Sequence, residues 1–92
     1  MIKSWRHKGL KAYFETGSTA GIQAAHTQKL RLQLAVLNAA IKPEDMKLPG
    51  YKFHQLKGDR KGYYSVSVNG NWRLTFKFEG CDAVLVDYED YH

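Results

Sequence analysis

His54, Arg73 and the closing run Asp90-Tyr91-His92 are residue types that can move a phosphoryl group without help from a metal. Scission of RNA by its own ribose 2′-OH needs a base near that hydroxyl, an acid at the departing 5′ oxygen and a cation on the crowded phosphate. Histidine is the side-chain type that can give and take a proton near neutrality, and these two are the candidate acid and base. Arg73 keeps its charge at any physiological pH and offers a planar fork suited to phosphate oxygens. Asp90 is a poor base at an ordinary carboxyl pKa, so its expected part is to orient a histidine or meet a base edge. Tyr91 can stack on a nucleobase or donate its hydroxyl. Each residue also has a plainer reading, since a strand histidine is often structural and a charged terminus often frays. Asp87, Glu89, Asp90 and His92 include metal-type donors, but alternation along a strand sends neighbours to opposite faces and no ligand spacing is present. No metal site and no cofactor is assigned.

The cations that would accompany such a site lie just upstream. Between Lys52 and Lys77 the chain carries Lys52, Lys57, Arg60, Lys61, Arg73 and Lys77 against Asp59 alone, interleaved with Tyr51, Phe53, His54, Tyr63, Tyr64 and Trp72. Charge for phosphates and rings for exposed bases is the mixture that single-stranded nucleic acid requires. Lys57, Arg60, Lys61, Trp72 and Lys77 are the candidate RNA contacts. The same pattern also describes a solvated sheet face with its aromatics in the core. The loop Lys57-Gly58-Asp59-Arg60-Lys61-Gly62 lacks the spacing of a nucleotide-binding loop. It serves equally as a phosphate contact or as an ordinary charged turn.

The elements that must position these residues follow from periodicity. Ile2 to Trp5 reads as a short edge strand. A helix is expected from about Lys8 to Thr16, with Leu10, Tyr13 and Phe14 on one face and Gly17 as its stop. A longer helix is expected from Ile22 or Ala24 to about Ile41, with Leu30, Leu34, Leu37 and Ile41 as a core stripe and Pro43 closing it. Pro43 to Met46 can form one further turn. Strands are expected over Tyr51 to Leu56, Tyr63 to Val68, from Trp72 through Phe78, and Ala83 to Tyr88. Asn69-Gly70 is expected as a type I′ hairpin turn and Glu79 to Asp82 as the next turn. In the third strand Trp72, Leu74, Phe76 and Phe78 should face the core, with Arg73, Thr75 and Lys77 on the polar side. His7 and His26 read as surface residues. The expected fold is α+β: a mainly antiparallel sheet of about four to five strands, with two helices on one face and a polar, basic face opposite.

Composition bounds the rest. A chain of 92 residues, 43% hydrophobic, closes one core and is expected to be a single domain over residues 1–92. One cysteine, Cys81, leaves no internal disulfide framework. The start lacks a secretory pattern and no run approaches a membrane span, so a cytoplasmic protein without membrane contact is expected. All 14 Lys and Arg lie in residues 1–77 with four acids, whereas residues 78–92 hold five acids and neither Lys nor Arg. A basic body favours a polyanionic partner; the acidic end either solvates or folds back onto the cations.

The runs His54-Gln55-Leu56-Lys57-Gly58-Asp59-Arg60, Gly62-Tyr63-Tyr64-Ser65-Val66, Val68-Asn69-Gly70-Asn71-Trp72-Arg73-Leu74 and Asp87-Tyr88-Glu89-Asp90-Tyr91-His92 together resemble the HigB toxins of bacterial toxin-antitoxin pairs. Lys8-Gly9-Leu10-Lys11 and Phe14-Glu15-Thr16-Gly17 are similar to that family as well, so the resemblance covers essentially the whole chain. It implies the RelE/ParE fold and a ribosome-dependent endoribonuclease that cuts translated mRNA in the A site of the 70S ribosome. It also implies a HigA-type helix-turn-helix antitoxin, with operator DNA bound only through the toxin-antitoxin complex. On this match Arg73 is the strand arginine at the scissile phosphate, Asp90-Tyr91-His92 is the family's end motif, and His54 and Lys57 lie on its active-face strand. RelE carries further lysines where this chain has Ser65-Val66-Ser67, so Lys57 and Arg60 are expected to make up the charge. Fold alone leaves two alternatives open: a ParE-like inhibitor of DNA gyrase, and an RNA-binding module without catalysis.

Overall fold

The computed structural model describes residues 1–91; His92 lies outside the described residues. Helix α1 spans Lys8–Thr16 and ends where Gly17 takes the left-handed conformation (φ 81°) that glycine adopts without strain. Its amino terminus is capped by His7, whose Nδ1 accepts the Leu10 N–H at 2.9 Å. His7 is therefore a capping residue, half-buried, and not the surface histidine expected. Helix α2 spans Thr27–Ala39, preceded by a 3-10 turn at Ala24–His26. Leu30, Leu34 and Leu37 form the expected core stripe, each no more than 1% exposed. Ile41 does not join them: the helix has ended, Ala40 is extended, and Ile41 is 65% exposed. The turn at Pro43–Met46 is 3-10, and it buries Met46 beside α2.

Four antiparallel strands follow in the spatial order β1-β2-β3-β4: His54–Gln55, Tyr64–Asn69, Trp72–Glu79 and Asp82–Asp90. The amino-terminal segment adds a parallel rung to the outer edge of β4, with Lys3 N–H bound to Ala83 O at 2.8 Å and Arg6 N–H to Val86 O at 2.9 Å. The first strand is much shorter than the expected Tyr51 to Leu56. Lys52 takes a positive φ of 49°, which takes it out of extended geometry and leaves only two residues in ladder register with β2. The β2–β3 loop also sits one residue later than expected. Asn69 still pairs with Trp72, and the loop is Gly70-Asn71, where Gly70 alone supplies the left-handed φ of 58°.

Side chains of Val66, Val68, Leu74, Phe76, Val86 and Tyr88 meet Leu10, Leu30, Leu34 and Leu37 to form one core between helices and sheet. His26 belongs to this layer and is corrected here from a surface residue. It is 6% exposed, and its Nδ1 lies 2.5 Å from the Tyr88 hydroxyl. That hydroxyl also accepts the Gln23 N–H at 3.4 Å, and burial raises the Tyr88 pKa.

Removing side-chain volume from the middle of the stripe tests this assignment. Leu34→Ala should cost about 2–5 kcal/mol in chemical denaturation, whereas Ile41→Ala should change stability by less than about 0.5 kcal/mol.

Candidate functional site

Register brings the polar residues of the far sheet face into two rows. Directly opposed residues in antiparallel strands share a face. One row runs His54, Ser65, Thr75, Asp87 and the next runs Ser67, Arg73, Glu89. Ser65, Ser67 and Thr75 are buried at 3%, 8% and 0%, so this face is not the open cation surface that alternation suggested. Over Thr75 lies Glu89, and Arg60 holds it there. From the 3-10 turn Gly58–Arg60, between β1 and β2 in the chain, its guanidinium reaches across the sheet to Glu89 on β4.

The contact is two-pronged. Nη1 donates to Oε1 at 2.7 Å and Nη2 to Oε2 at 2.9 Å, while the Thr75 hydroxyl donates to the same Oε2 at 3.1 Å. Paired donors on a half-buried carboxylate favour its charged form. The hydrogen bonds from Arg60 hold the Glu89 carboxyl below its usual range, and those to Glu89 raise the Arg60 guanidinium further. Tyr63 fixes the stem of the arrangement. The Arg60 guanidinium lies 5.5 Å from its ring centroid and the Lys77 ammonium 5.3 Å, both within cation–π range.

Arg73 stands beside this pair in a different condition. Its Nη1 is buried and has no hydrogen-bond partner. The carboxylate opposite it, Glu89, has given its oxygens to Arg60 and Thr75. Arg73 as a whole is only half-buried, so its guanidinium brings positive charge to the sheet face, and a phosphate oxygen would engage it through its exposed part.

The other expected site residues are distributed unevenly around Arg73. His54 is exposed on the edge strand β1, in the Thr75 row and two strands from β3, or about 10 Å at ordinary strand spacing. Lys57 and Lys61 are exposed at the two ends of the same 3-10 turn and line a shallow cleft with Gln55, Leu56 and Gly58. Tyr91 is 40% exposed, with its N–H on Asn71 O at 2.7 Å. Asp90 pairs with Trp72 at the end of the ladder, so by alternation it lies on the face opposite to that of Arg73 and Glu89. Trp72 is not on the cation face. Its ring packs 4.6 Å from Tyr88 and 5.6 Å from His26 on the helix-covered side, so it is half-buried in the core layer, as strand parity predicted and against its place among the candidate RNA contacts. Arg60 is corrected too: its charge is engaged by Glu89 and is not held out as an open phosphate contact. His92 lies outside the described residues.

Two partners escaped the sequence reading. Glu89 was weighed only as a metal-type donor, and Tyr63 only as one aromatic among several. The alternation signal marks both as polar-face residues; the strand register that puts Glu89 opposite Arg73 is set by a bulge between Thr75 and Lys77, which no local pattern announces.

Known proteins resemble the chain along its whole length. A family model described as "RelE-like toxin of type II toxin-antitoxin system HigB" matches residues 3–92. Endoribonuclease HigB of Proteus vulgaris is 46% identical over 92 residues, covering the whole of both chains. Toxin HigB-1 of Vibrio cholerae serotype O1 is 30% identical over 95 residues, covering all of this chain and 98% of that one. Among the described residues no helix is long and apolar enough to cross a membrane.

The ion pair makes a pH-dependent contribution of known sign. Glu89 has a lowered pKa in the folded state, so its stabilisation is complete above the unfolded carboxyl pKa of about 4.3 and is lost as pH falls through the folded value. With both side chains about a quarter exposed, Glu89→Gln should cost roughly 1 kcal/mol at pH 7. Denaturation curves of the two proteins should converge as pH falls below about 4.

Proposed function

The chain belongs to the HigB-like toxins, RelE-like toxins of type II toxin-antitoxin systems, and from that membership we propose an endoribonuclease that cuts mRNA during translation. The observation that carries the reading is the half-buried Arg73 on the polar sheet face, whose Nη1 has no hydrogen-bond partner, in a chain 46% identical along its full length to an endoribonuclease.

In the proposed reaction the ribose 2′-OH attacks the adjacent phosphorus, the bond from phosphorus to the 5′ oxygen breaks, and the products are a 2′,3′-cyclic phosphate and a 5′-hydroxyl. One proton leaves the 2′ oxygen for a base and another reaches the departing 5′ oxygen from an acid. Arg73 stabilises charge on the phosphate, where a preplaced donor in a partly desolvated site acts most strongly. His54 and His92 are the proton-transfer candidates, with Asp90 and Tyr91 orienting them or the nucleotide. Lys57, Lys61 and Lys77 contact flanking phosphates, which makes binding salt-dependent. A site this sparse suits a substrate whose geometry is supplied by the ribosome, so that positioning does part of the work. A type II system supplies an antitoxin partner; a HigA-type helix-turn-helix protein, through which the pair would reach operator DNA, is the form proposed here.

Inducing the wild-type chain and mapping mRNA 5′ ends should reveal cuts at fixed positions within codons. Arg73→Ala should reduce them by about 10²-fold or more and relieve growth arrest, with thermal stability retained. DNA breaks without mRNA cuts would point instead to a gyrase inhibitor, and arrest without either to an inert RNA binder.

A further inference from the structure

Arg73 and Glu89 are opposed across β3 and β4. Facing side chains on an antiparallel pair start about 5 Å apart, so an arginine and a glutamate so placed would ordinarily bind each other. Here they do not. Both Glu89 oxygens are bound by Arg60, a third bond comes from Thr75, and Arg73 is left with a buried, unpartnered nitrogen. A buried donor without a partner is costly, and more so on a charged group. Arg60 has a second contact besides Glu89, its guanidinium lying 5.5 Å from the centroid of the Tyr63 ring.

We infer that Arg60 is a positioning residue that withholds Glu89 from Arg73 and so keeps the Arg73 guanidinium available to the scissile phosphate. The inference rests on the ribonuclease reading above and gives Arg60 a role other than RNA contact. The remaining charged groups near the pair are compatible with it. Asp87 lies one row along, opposite Thr75, with its Oδ1 accepting the Tyr88 N–H at 2.9 Å. Arg6 adds positive potential at Glu89, and Tyr91 lies within electrostatic reach of Arg60. With Arg60 absent, Glu89 keeps one bond from Thr75 and has Arg73 as its directly facing cation. The pair would close and neutralise the charge the reaction uses.

A double-substitution cycle separates this from direct RNA binding. Arg60→Ala, Glu89→Gln and the double variant are compared with wild type and Arg73→Ala for cleavage of translated mRNA. Arg60→Ala should lose at least about tenfold in cleavage rate, toward the level of Arg73→Ala, with a smaller change in the substrate concentration required. Glu89→Gln should stay within about threefold of wild type, and the double variant should recover to the same range. A double variant no better than Arg60→Ala overturns the inference and assigns Arg60 to the RNA.

A second arm needs no activity. The Arg73 side-chain Nε–H resonance, identified by its loss in Arg73→Ala, should move in Arg60→Ala and return in the double variant. An unmoved resonance in Arg60→Ala overturns the inference even if cleavage falls. Should wild type fail to cut, the ribonuclease reading fails and the resonance alone decides the role of Arg60. If Arg60→Ala does not fold, Arg60→Lys, which keeps the charge but not the two-pronged grip, gives the same comparison. It should lose part of the rate and regain it with Glu89→Gln.

Discussion

Burial of β3 on both faces is the constraint on which the rest of the molecule depends. Leu74, Thr75 and Phe76 are consecutive, and none has any exposed surface. On one side Leu74 and Phe76 lie in the core under α1 and α2. On the other, Thr75 is covered by polar groups, the joined side chains of Arg60 and Glu89. A buried hydroxyl must find a partner, and Thr75 finds it in the carboxylate that Arg60 holds. Apolar packing beneath the strand and an ion pair above it therefore secure the same three residues, and Arg73 at the adjoining position inherits a rigid backbone.

Rigidity at that position matters because the chemistry open to so small a domain is mostly electrostatic. A guanidinium on a stiff central strand needs little reorganisation when charge develops beside it. The nearby acids are each tied to another group, Glu89 to Arg60 and Thr75, and Asp87 to the Tyr88 backbone. The acidic end of the chain is thus partly folded back onto the basic body as an internal counter-charge. The net excess of positive charge remains on exposed lysines at the rim.

The α1 stop, the core stripe and strand parity were legible because each is set by neighbours a few residues apart. Gly17 ends α1 where expected, Leu30, Leu34 and Leu37 face the core, and Arg73 and Thr75 share the polar side of β3. Ile41 failed because a periodic pattern does not mark where a helix stops: Ala40 turns extended while staying buried, and Ile41 is carried to the surface. The first strand failed at Lys52, whose positive φ is a tertiary compromise with no signature in a lysine. His26 looked like a surface residue because nothing local reveals the Tyr88 hydroxyl, 62 residues away in sequence, that it meets.

The same division applies to the site. Residue types and their order along the chain were enough to single out Arg73, the cation-rich segment and the HigB resemblance, since these depend on composition and on patterns read within single elements. Which charges stand free was decided only by the tertiary structure. Arg60 and Arg73 are indistinguishable as letters, yet a reach across the sheet binds one to Glu89 and leaves the other unpartnered. Trp72, by contrast, was turned to the core by a strand parity already legible in the sequence. Pairing between distant charges depends on register and on loop path, and neither is written in the local sequence.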